Sequence, residues 1–261
     1  MSHDLSLLLS LAVEISRRAG ALLLERFAEE ARGVDTKTGP TDLVSDADRD
    51  AEEMITRFVR ERRPDDGILA EEGTIGAATS GLTWVIDPLD GTVNFLFCIP
   101  VWCVSIGIED ASGGLIGVVH NPNADETFTA IRGKGAYLGG APIEVSNRSE
   151  LSSALVGTGF HYDQQRRSEQ AATVAEIIPL VRDIRRAGSA ALDLCSLACG
   201  RLDAFYESPM ERWDRSAGEL LVREAGGVVE DLPAPRGAPP GVTAANARLH
   251  PALRKLVTGT S

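Results

Sequence analysis

The stretch Thr83-Trp84-Val85-Ile86-Asp87-Pro88-Leu89-Asp90-Gly91-Thr92-Val93-Asn94-Phe95 decides how the chain is read. Trp84, Val85 and Ile86 form an apolar, partly β-branched run of the kind that fills a buried strand. Asp87 precedes Pro88, and a residue before proline is pushed towards extended geometry, so the strand runs up to Asp87 and presents its carboxylate at its end. Pro88 fixes one backbone torsion and Gly91 permits a tight turn, which lets Asp90 converge on Asp87. Converging carboxylates repel at neutral pH, so either a cation sits between them or one keeps a proton at a raised pKa. A divalent cation is the simpler solution, because Mg²⁺ typically binds through a carboxylate or two and completes its shell with water and substrate phosphate. Taken alone, D-P-x-D-G reads equally well as an Asp-Pro turn followed by an Asp-Gly turn.

On either side of this stretch the sequence divides by periodicity. From Ile68 to Val145 short β-type runs (Trp84 to Ile86, Val101 to Ile108, Leu115 to Val119, Thr127 to Ile131, Ala136 to Leu138) alternate with turn signals, which predicts an antiparallel meander. Before them come an amphipathic helix from Leu5 to about Ala31, a polar stretch broken at Gly39-Pro40, and a second helix that follows the acidic run Asp42 to Asp50 and stops near Pro64. The Asp46, Asp48, Asp50 spacing suggests a calcium loop. It fails as one, because Ala51 and Arg57 stand where the glycine and the bidentate glutamate belong. After Ser149 the pattern alternates strand and helix: Ala154 to Gly157, a helix from Arg167 to Ile178, a strand near Ile184, a helix from Ser189 to Ala198, Ala204 to Tyr206, a helix from Asp214 to Ala225, Val228-Val229, Val242 to Ala244 and a last helix from His250 to Val257. Leu232 to Gly241, rich in proline, reads as a surface loop. These patterns place a boundary near Arg148, between an α+β half (1–148) and an α/β half (149–261).

With 261 residues and 43% hydrophobic content the chain can bury a sizeable core. A formal charge of −12 argues against nucleic-acid backbone binding, which needs clustered Lys and Arg. Glu14, Arg17 and Arg18 interrupt the leucine-rich N-terminus and no basic segment precedes it, so neither a membrane span nor a secretory signal is expected, and the cytoplasm is the expected compartment. Cys98, Cys103, Cys195 and Cys199 have no histidine at ligand spacing and read as buried free thiols.

Two further segments supply chemistry that matches Asp87 and Asp90. Glu71-Glu72 ends the apolar run Gly67 to Ala70, and Trp213-Asp214 opens W-D-R-S-A-G-E-L-L-V-R-E-A-G-G, which ends at Gly227. In order and spacing these blocks resemble the inositol monophosphatase family of magnesium-dependent, lithium-sensitive phosphomonoesterases, from about Lys37 to about Asn246. The resemblance implies a layered αβαβα sandwich of the sugar-phosphatase type, bridging the α+β and α/β classes, and a homodimer. It implies two or three Mg²⁺ ions, with Mn²⁺ as a substitute, held by Glu71, Asp87, Asp90, Asp214 and the carbonyl of Leu89. Ions of this kind ~4 Å apart acidify a water, grip the phosphate and steady the leaving oxygen. Thr92 and Asp48 are implied to orient the attacking water, with Glu71 catalytic beside them. Gly91 and Thr92 would meet the phosphate. Gly188, Ser189, Ala190 and Glu207 would meet a polyol, because a carboxylate at 207 accepts hydrogen bonds from ring hydroxyls. Lys37, Glu72, Arg186 and His161 are outer candidates, and the Arg185-Arg186 pair can instead serve a subunit contact. The implied substrate is a small phosphate monoester, inositol 1-phosphate first, with histidinol phosphate, fructose 1,6-bisphosphate and adenosine 3′,5′-bisphosphate as alternatives. A regulatory protein that keeps the fold and binds a macromolecule is the rival from another class. The chain departs from the family pattern at Leu96-Phe97-Cys98-Ile99-Pro100, which is unusually apolar.

Overall fold

In the computed structural model, which describes residues 3–28, 34–36, 43–71, 73–76, 78–234 and 237–259, with backbone alone at 34–36, 43–45 and 74–75, Thr83 to Asp90 is a strand buried along nearly all its length. It is β5 of a chain that runs α1 (Leu5–Ala28), β1 (Val34–Thr36), β2 (Leu43–Ser45), α2 (Asp46–Arg62), β3 (Gly67–Ala70), β4 (Thr74–Ile75), β5 (Thr83–Asp90) and α3 (Thr92–Leu96). The meander follows as β6 (Cys103–Asp110), β7 (Gly113–Asn121), β8 (Glu126–Ile131), β9 (Ala136–Leu138) and β10 (Ala141–Ile143). The second half adds β11 (Leu155–Thr158), α4 (Gln164–Ile177), β12 (Asp183–Arg185), α5 (Ala190–Ala198), β13 (Ala204–Glu207), α6 (Arg212–Glu224), β14 (Gly227–Leu232), β15 (Gly241–Asn246) and α7 (His250–Thr258).

Side-chain alternation sorts these elements into layers. Trp84 and Ile86 of β5, Val104, Ile106 and Ile108 of β6, and Ile116 and Val118 of β7 point to one face of a sheet ordered β10-β9-β8-β7-β6-β5-β3-β4. There they meet Leu8, Ala12, Ile15, Ala19 and Leu23 of α1 and Ala51, Ile55 and Phe58 of α2. Cys103, Val119, Phe128 and Ala130 point the other way, onto Leu194, Leu197, Leu220 and Leu221 of α5 and α6, and the same core reaches Phe205, Val229, Val242 and Ala244 of the second sheet. That sheet, ordered β12-β11-β13-β15-β14, turns Val156, Ala204, Tyr206 and Ala245 to its outer face, where Leu249 and Leu253 cover them at α7. The result is the αβαβα sandwich, and its middle core draws side chains from both sides of Arg148.

The departures from the sequence reading have local causes. β3 joins β5 in parallel, outside the antiparallel meander, because β4 first runs back antiparallel along β3, from Leu69 to Ile68, before β5 begins opposite Gly67. β1 and β2 form an antiparallel pair within the stretch read as polar and irregular, each too short to show alternation. Residues 29–31, expected to continue α1, lie outside the described residues. Of the four thiols expected to be buried, only Cys103 and Cys195 are: Cys199 is half-buried and Cys98 is exposed. Phe95 and Trp102 insert beside Phe27, with ring centroids 5.2–5.4 Å apart, and the turn between Phe95 and Trp102 carries Phe97, Cys98 and Ile99 outward.

Candidate active site

The parallel register fixes the first pair of carboxylates. Ala70 pairs with Ile86, and the Glu71 amide donates to the Ile86 carbonyl at 3.2 Å, so Glu71 and Asp87 emerge side by side from adjacent strand ends. Pairing with β6 then slips between Asp87 (opposite Ser105) and Asp90 (opposite Cys103), a bulge that re-aims the strand end. Asp87 Oδ1 accepts the Leu89 amide at 3.0 Å, closing the Pro88 turn. Gly91 follows with φ of 102°, and a Cβ there would stand 2.9 Å from the Val101 carbonyl, so the turn excludes every side chain. α3 begins at once. Thr92 Oγ1 lies 3.1 Å from both Asp48 Oδ1, wholly buried at the start of α2, and the Leu89 carbonyl oxygen.

The second half closes on this end of the sheet at three points. Asp90 accepts from Ser189 Oγ at 2.6 Å and from the Ala191 and Ala190 amides at 2.7 and 3.3 Å, so it lies at the N-terminus of α5, where an anion is favoured. Asn94 Nδ2 donates to the carbonyls of Val101 and Ala187 at 2.7 and 2.9 Å. Gly188 turns there with φ of 97°, where a Cβ would meet Asn94 at 2.7 Å. α6 comes close to the sheet because Gly107 and Gly117, paired across β6 and β7, present no side chains to it; a Cβ on Gly117 would stand 2.7 Å from the Ala217 carbonyl. That approach brings Asp214, in the first turn of α6 and accepting from the Glu211 amide at 3.1 Å, to the same cavity.

Burial and mutual repulsion dominate the electrostatics. The carboxyl of Asp87 is pushed well above its ordinary value by burial, then by Glu71, Asp90, Asp214 and Asp48. Asp214 is raised likewise by burial, Asp90, Glu71 and Glu207. Asp90 is raised by burial, which its hydrogen bonds from Ser189, Ala191 and Ala190 oppose. Glu207 is raised to about 7 by burial and Asp90, and Asp193 to about 8 by burial, Glu207 and Asp90, with Arg186 opposing both shifts. Tyr162 is raised by burial and by Glu71, Asp90 and Asp214. This is an acidic site that favours positive charge.

One cavity of about 1070 Å³ gathers Glu71, Asp87, Leu89, Asp90, Gly91, Thr92, His161, Arg186, Gly188, Ser189, Ala190, Glu207 and Asp214. Asp48 is joined to that wall through Thr92. Lys37 and Glu72 lie outside the described residues. The sequence reading missed Asp193, although a lone acid within A-A-L-D-L-C-S-L-A is a signal that it does something other than fill the core. It also missed the wall formed by Tyr162, Arg166 and Arg167 and by Gly237, Ala238 and Pro239, part of the loop after β14. Arg166 and Arg167 sit in the first turn of α4 and the others in loops, and no periodic pattern marks residues that face a cleft from another element.

The sequence profile of the inositol monophosphatase family matches residues 4–259. The chain belongs to that family. It is 42% identical to the inositol-1-monophosphatase SuhB of Mycobacterium tuberculosis, over 80% of this chain and 76% of that one. It is 38% identical to the Nus factor SuhB of Haemophilus influenzae, over 87% of this chain and 86% of the relative. The crystal structure of the extragenic suppressor protein suhB from Bartonella henselae superposes with a TM-score of 0.88 at 34% identity, over 97% of this chain and 99% of that one. As an inositol monophosphatase family member, the protein is a phosphomonoester hydrolase.

The family's dependence on metal can be tested against these residues. Among the described residues no three His, Cys, Asp or Glu side chains surround a single point ready to hold an ion, and Asp90 spends both oxygens on α5. Hard cations that keep much of their water need only a carboxylate or two each. Glu71 beside Asp87, with Asp90 and Asp214 facing the same cavity, provides that in oxygen donors alone, and the raised carboxyls are those that a cation would return to the charged form. The residues fit a hard divalent ion.

Proposed function

We propose that the protein hydrolyses inositol 1-phosphate to inositol and phosphate with Mg²⁺ as cofactor. The observation that carries this reading is the convergence of Glu71, Asp87, Asp90 and Asp214 on one cavity that Glu207 also lines, where its carboxylate would accept polyol hydroxyls. When bound, Mg²⁺ supplies the positive charge that the phosphoryl oxygens and the attacking water require. The chain's own groups do the rest. Glu71, Asp87, Asp90, Asp214 and the Leu89 carbonyl hold the cofactor. Thr92 and Asp48 orient the water for direct attack on phosphorus, with Glu71 as the adjacent proton acceptor. Gly91 and Thr92 offer backbone to the phosphate, the turn from Gly188 to Ala190 lines the sugar, and Arg186 and His161 stand at the rim. The test is phosphate release from inositol 1-phosphate, histidinol phosphate, fructose 1,6-bisphosphate and adenosine 3′,5′-bisphosphate, with Mg²⁺ and with chelator. Preference for any ester other than inositol 1-phosphate overturns the substrate assignment.

Lithium inhibition, a cytoplasmic location and a homodimer belong to the same proposal. A monomeric mass at micromolar concentration would remove the last. No helix among the described residues is long and apolar enough to cross a membrane.

A second reading comes from the Nus factor name of the Haemophilus influenzae relative. We propose that the same fold also binds a macromolecular partner in a regulatory role. An inactive Asp214→Asn chain that still corrects the phenotype of a deletion would support it, and failure of that chain in cells complemented by wild type would reject it.

A further inference from the structure

We infer that Gly159 is a specificity-positioning residue: the absence of a side chain there seats the Glu207 carboxylate at the polyol end of the cavity. The inference rests on the phosphatase reading above. β11 pairs in parallel with β13, Thr158 opposite Tyr206, so Gly159 and Glu207 are the next residues at adjacent strand ends. Gly159 is buried, and a Cβ built on it overlaps the carboxyl carbon and both carboxylate oxygens of Glu207. Its φ is not in the left-handed region, so the backbone accepts any residue and only the neighbouring carboxylate demands glycine. On the other flank Gly241, beside the pair Glu207 and Val242, leaves room for the Glu207 carbonyl and for Ser208. Gln170 of α4 fixes the two loops to each other, its Oε1 accepting the His161 amide at 2.9 Å and its Nε2 donating to the Ser208 carbonyl at 2.8 Å. With both backbones held, a side chain at 159 has one outlet, which is to displace the Glu207 carboxylate from its seat. The three atoms that a Cβ at 159 would meet first all belong to the Glu207 side chain and none to the groups proposed to hold metal, so its effect falls first on the alcohol half of the substrate.

The experiment measures kcat and KM of the full chain with Mg²⁺ for inositol 1-phosphate and for p-nitrophenyl phosphate, whose aryl group offers Glu207 no hydroxyl. Wild type, Gly159→Ala, Glu207→Asp and the double variant are compared, with thermal midpoints to monitor folding. The expected result for Gly159→Ala is a rise in KM for inositol 1-phosphate of about tenfold or more, the loss of a charge-assisted hydrogen bond, and an equal fall in the ratio of polyol to aryl kcat/KM. Shortening the acid by one methylene relieves the overlap, so the double variant regains a higher ratio than Gly159→Ala alone, a coupling that a general packing defect would not produce. Should Gly159→Ala fail to fold, a folded double variant with the ratio of Glu207→Asp carries the same conclusion. An unchanged ratio in Gly159→Ala, parallel loss on both substrates, or a double variant no better than the single overturns the inference while leaving the phosphatase reading intact. Wild type inactive on both esters overturns the phosphatase reading itself, and this inference with it.

Discussion

Ser189 Oγ donates a 2.6 Å hydrogen bond to Asp90 Oδ2, joining two residues 99 positions apart in the chain. The same hydroxyl receives the Leu192 amide at 3.3 Å as the N-cap of α5, so one side chain both starts a helix in the second half and holds a site carboxylate of the first. Ser189→Ala removes both functions and leaves Asp90 short of a donor. The expected cost is about 1–3 kcal/mol in denaturant unfolding of the metal-free protein. A change below a few tenths would show that water replaces the hydroxyl.

Gly107→Ala tests how α6 is placed. A Cβ at 107 overlaps Ser216 Oγ and crowds the start of the Ala217 backbone, so the helix must move away from the sheet. Overpacking of this kind costs about 1–3 kcal/mol. Because Asp214 rides on the same helix, Mg²⁺ affinity measured by calorimetry should weaken together with stability, and a stability loss at constant Mg²⁺ affinity would show that Asp214 is positioned independently of the contact.

The acidic cavity makes the metal-free protein sensitive to rising pH. Asp87, Asp90 and Asp214 have folded-state values above the ordinary 3.8, Asp193 is raised to about 8, and Glu207 is raised from 4.5 to about 7. Above the ordinary values the unfolded chain has released these protons while the folded chain still binds them. The folded state therefore holds more protons, and stability falls as pH rises from about 4 towards 8. Thermal midpoints in chelator should drop across that window, and added Mg²⁺ should raise the midpoint more at pH 8 than at pH 5. A metal increment independent of pH would mean that the ion is not held by these groups.

Much of this was legible in the sequence because the informative residues impose local geometry. Asp90-Gly91 dictates a turn before any partner is known, and the meander from Cys103 to Ile143 and the alternating second half follow from periodicity; the strand expected to end at Asp87 instead continues through a bulge to Asp90, where pairing with Cys103 resumes. What stayed hidden depends on contacts between distant segments. β3 runs parallel to β5 because β4 first pairs back along β3, and a strand of two residues shows no periodicity in the sequence. Asp193 joins the site only because α5 and β13 face the same cavity, and Gly159 carries no mark in sequence that distinguishes it from a loop glycine. Cys98 looked buried because its neighbours are apolar, yet Phe95 and Trp102 occupy the interior on either side and the turn between them faces out.

In the proposed metal-dependent phosphatase site of Glu71, Asp87, Asp90 and Asp214, Asp214 is the member supplied by the far half of the chain. The most direct test is phosphate release from inositol 1-phosphate with Mg²⁺ and with chelator, for wild type and for Asp214→Asn, which keeps the size of the side chain and removes its charge. Turnover is expected to require Mg²⁺ and to fall by about a hundredfold or more in Asp214→Asn at an undiminished thermal midpoint, because the lost charge no longer acts on the reacting phosphate. Turnover that persists in chelator, or an Asp214→Asn protein as active as wild type, would rule that site out.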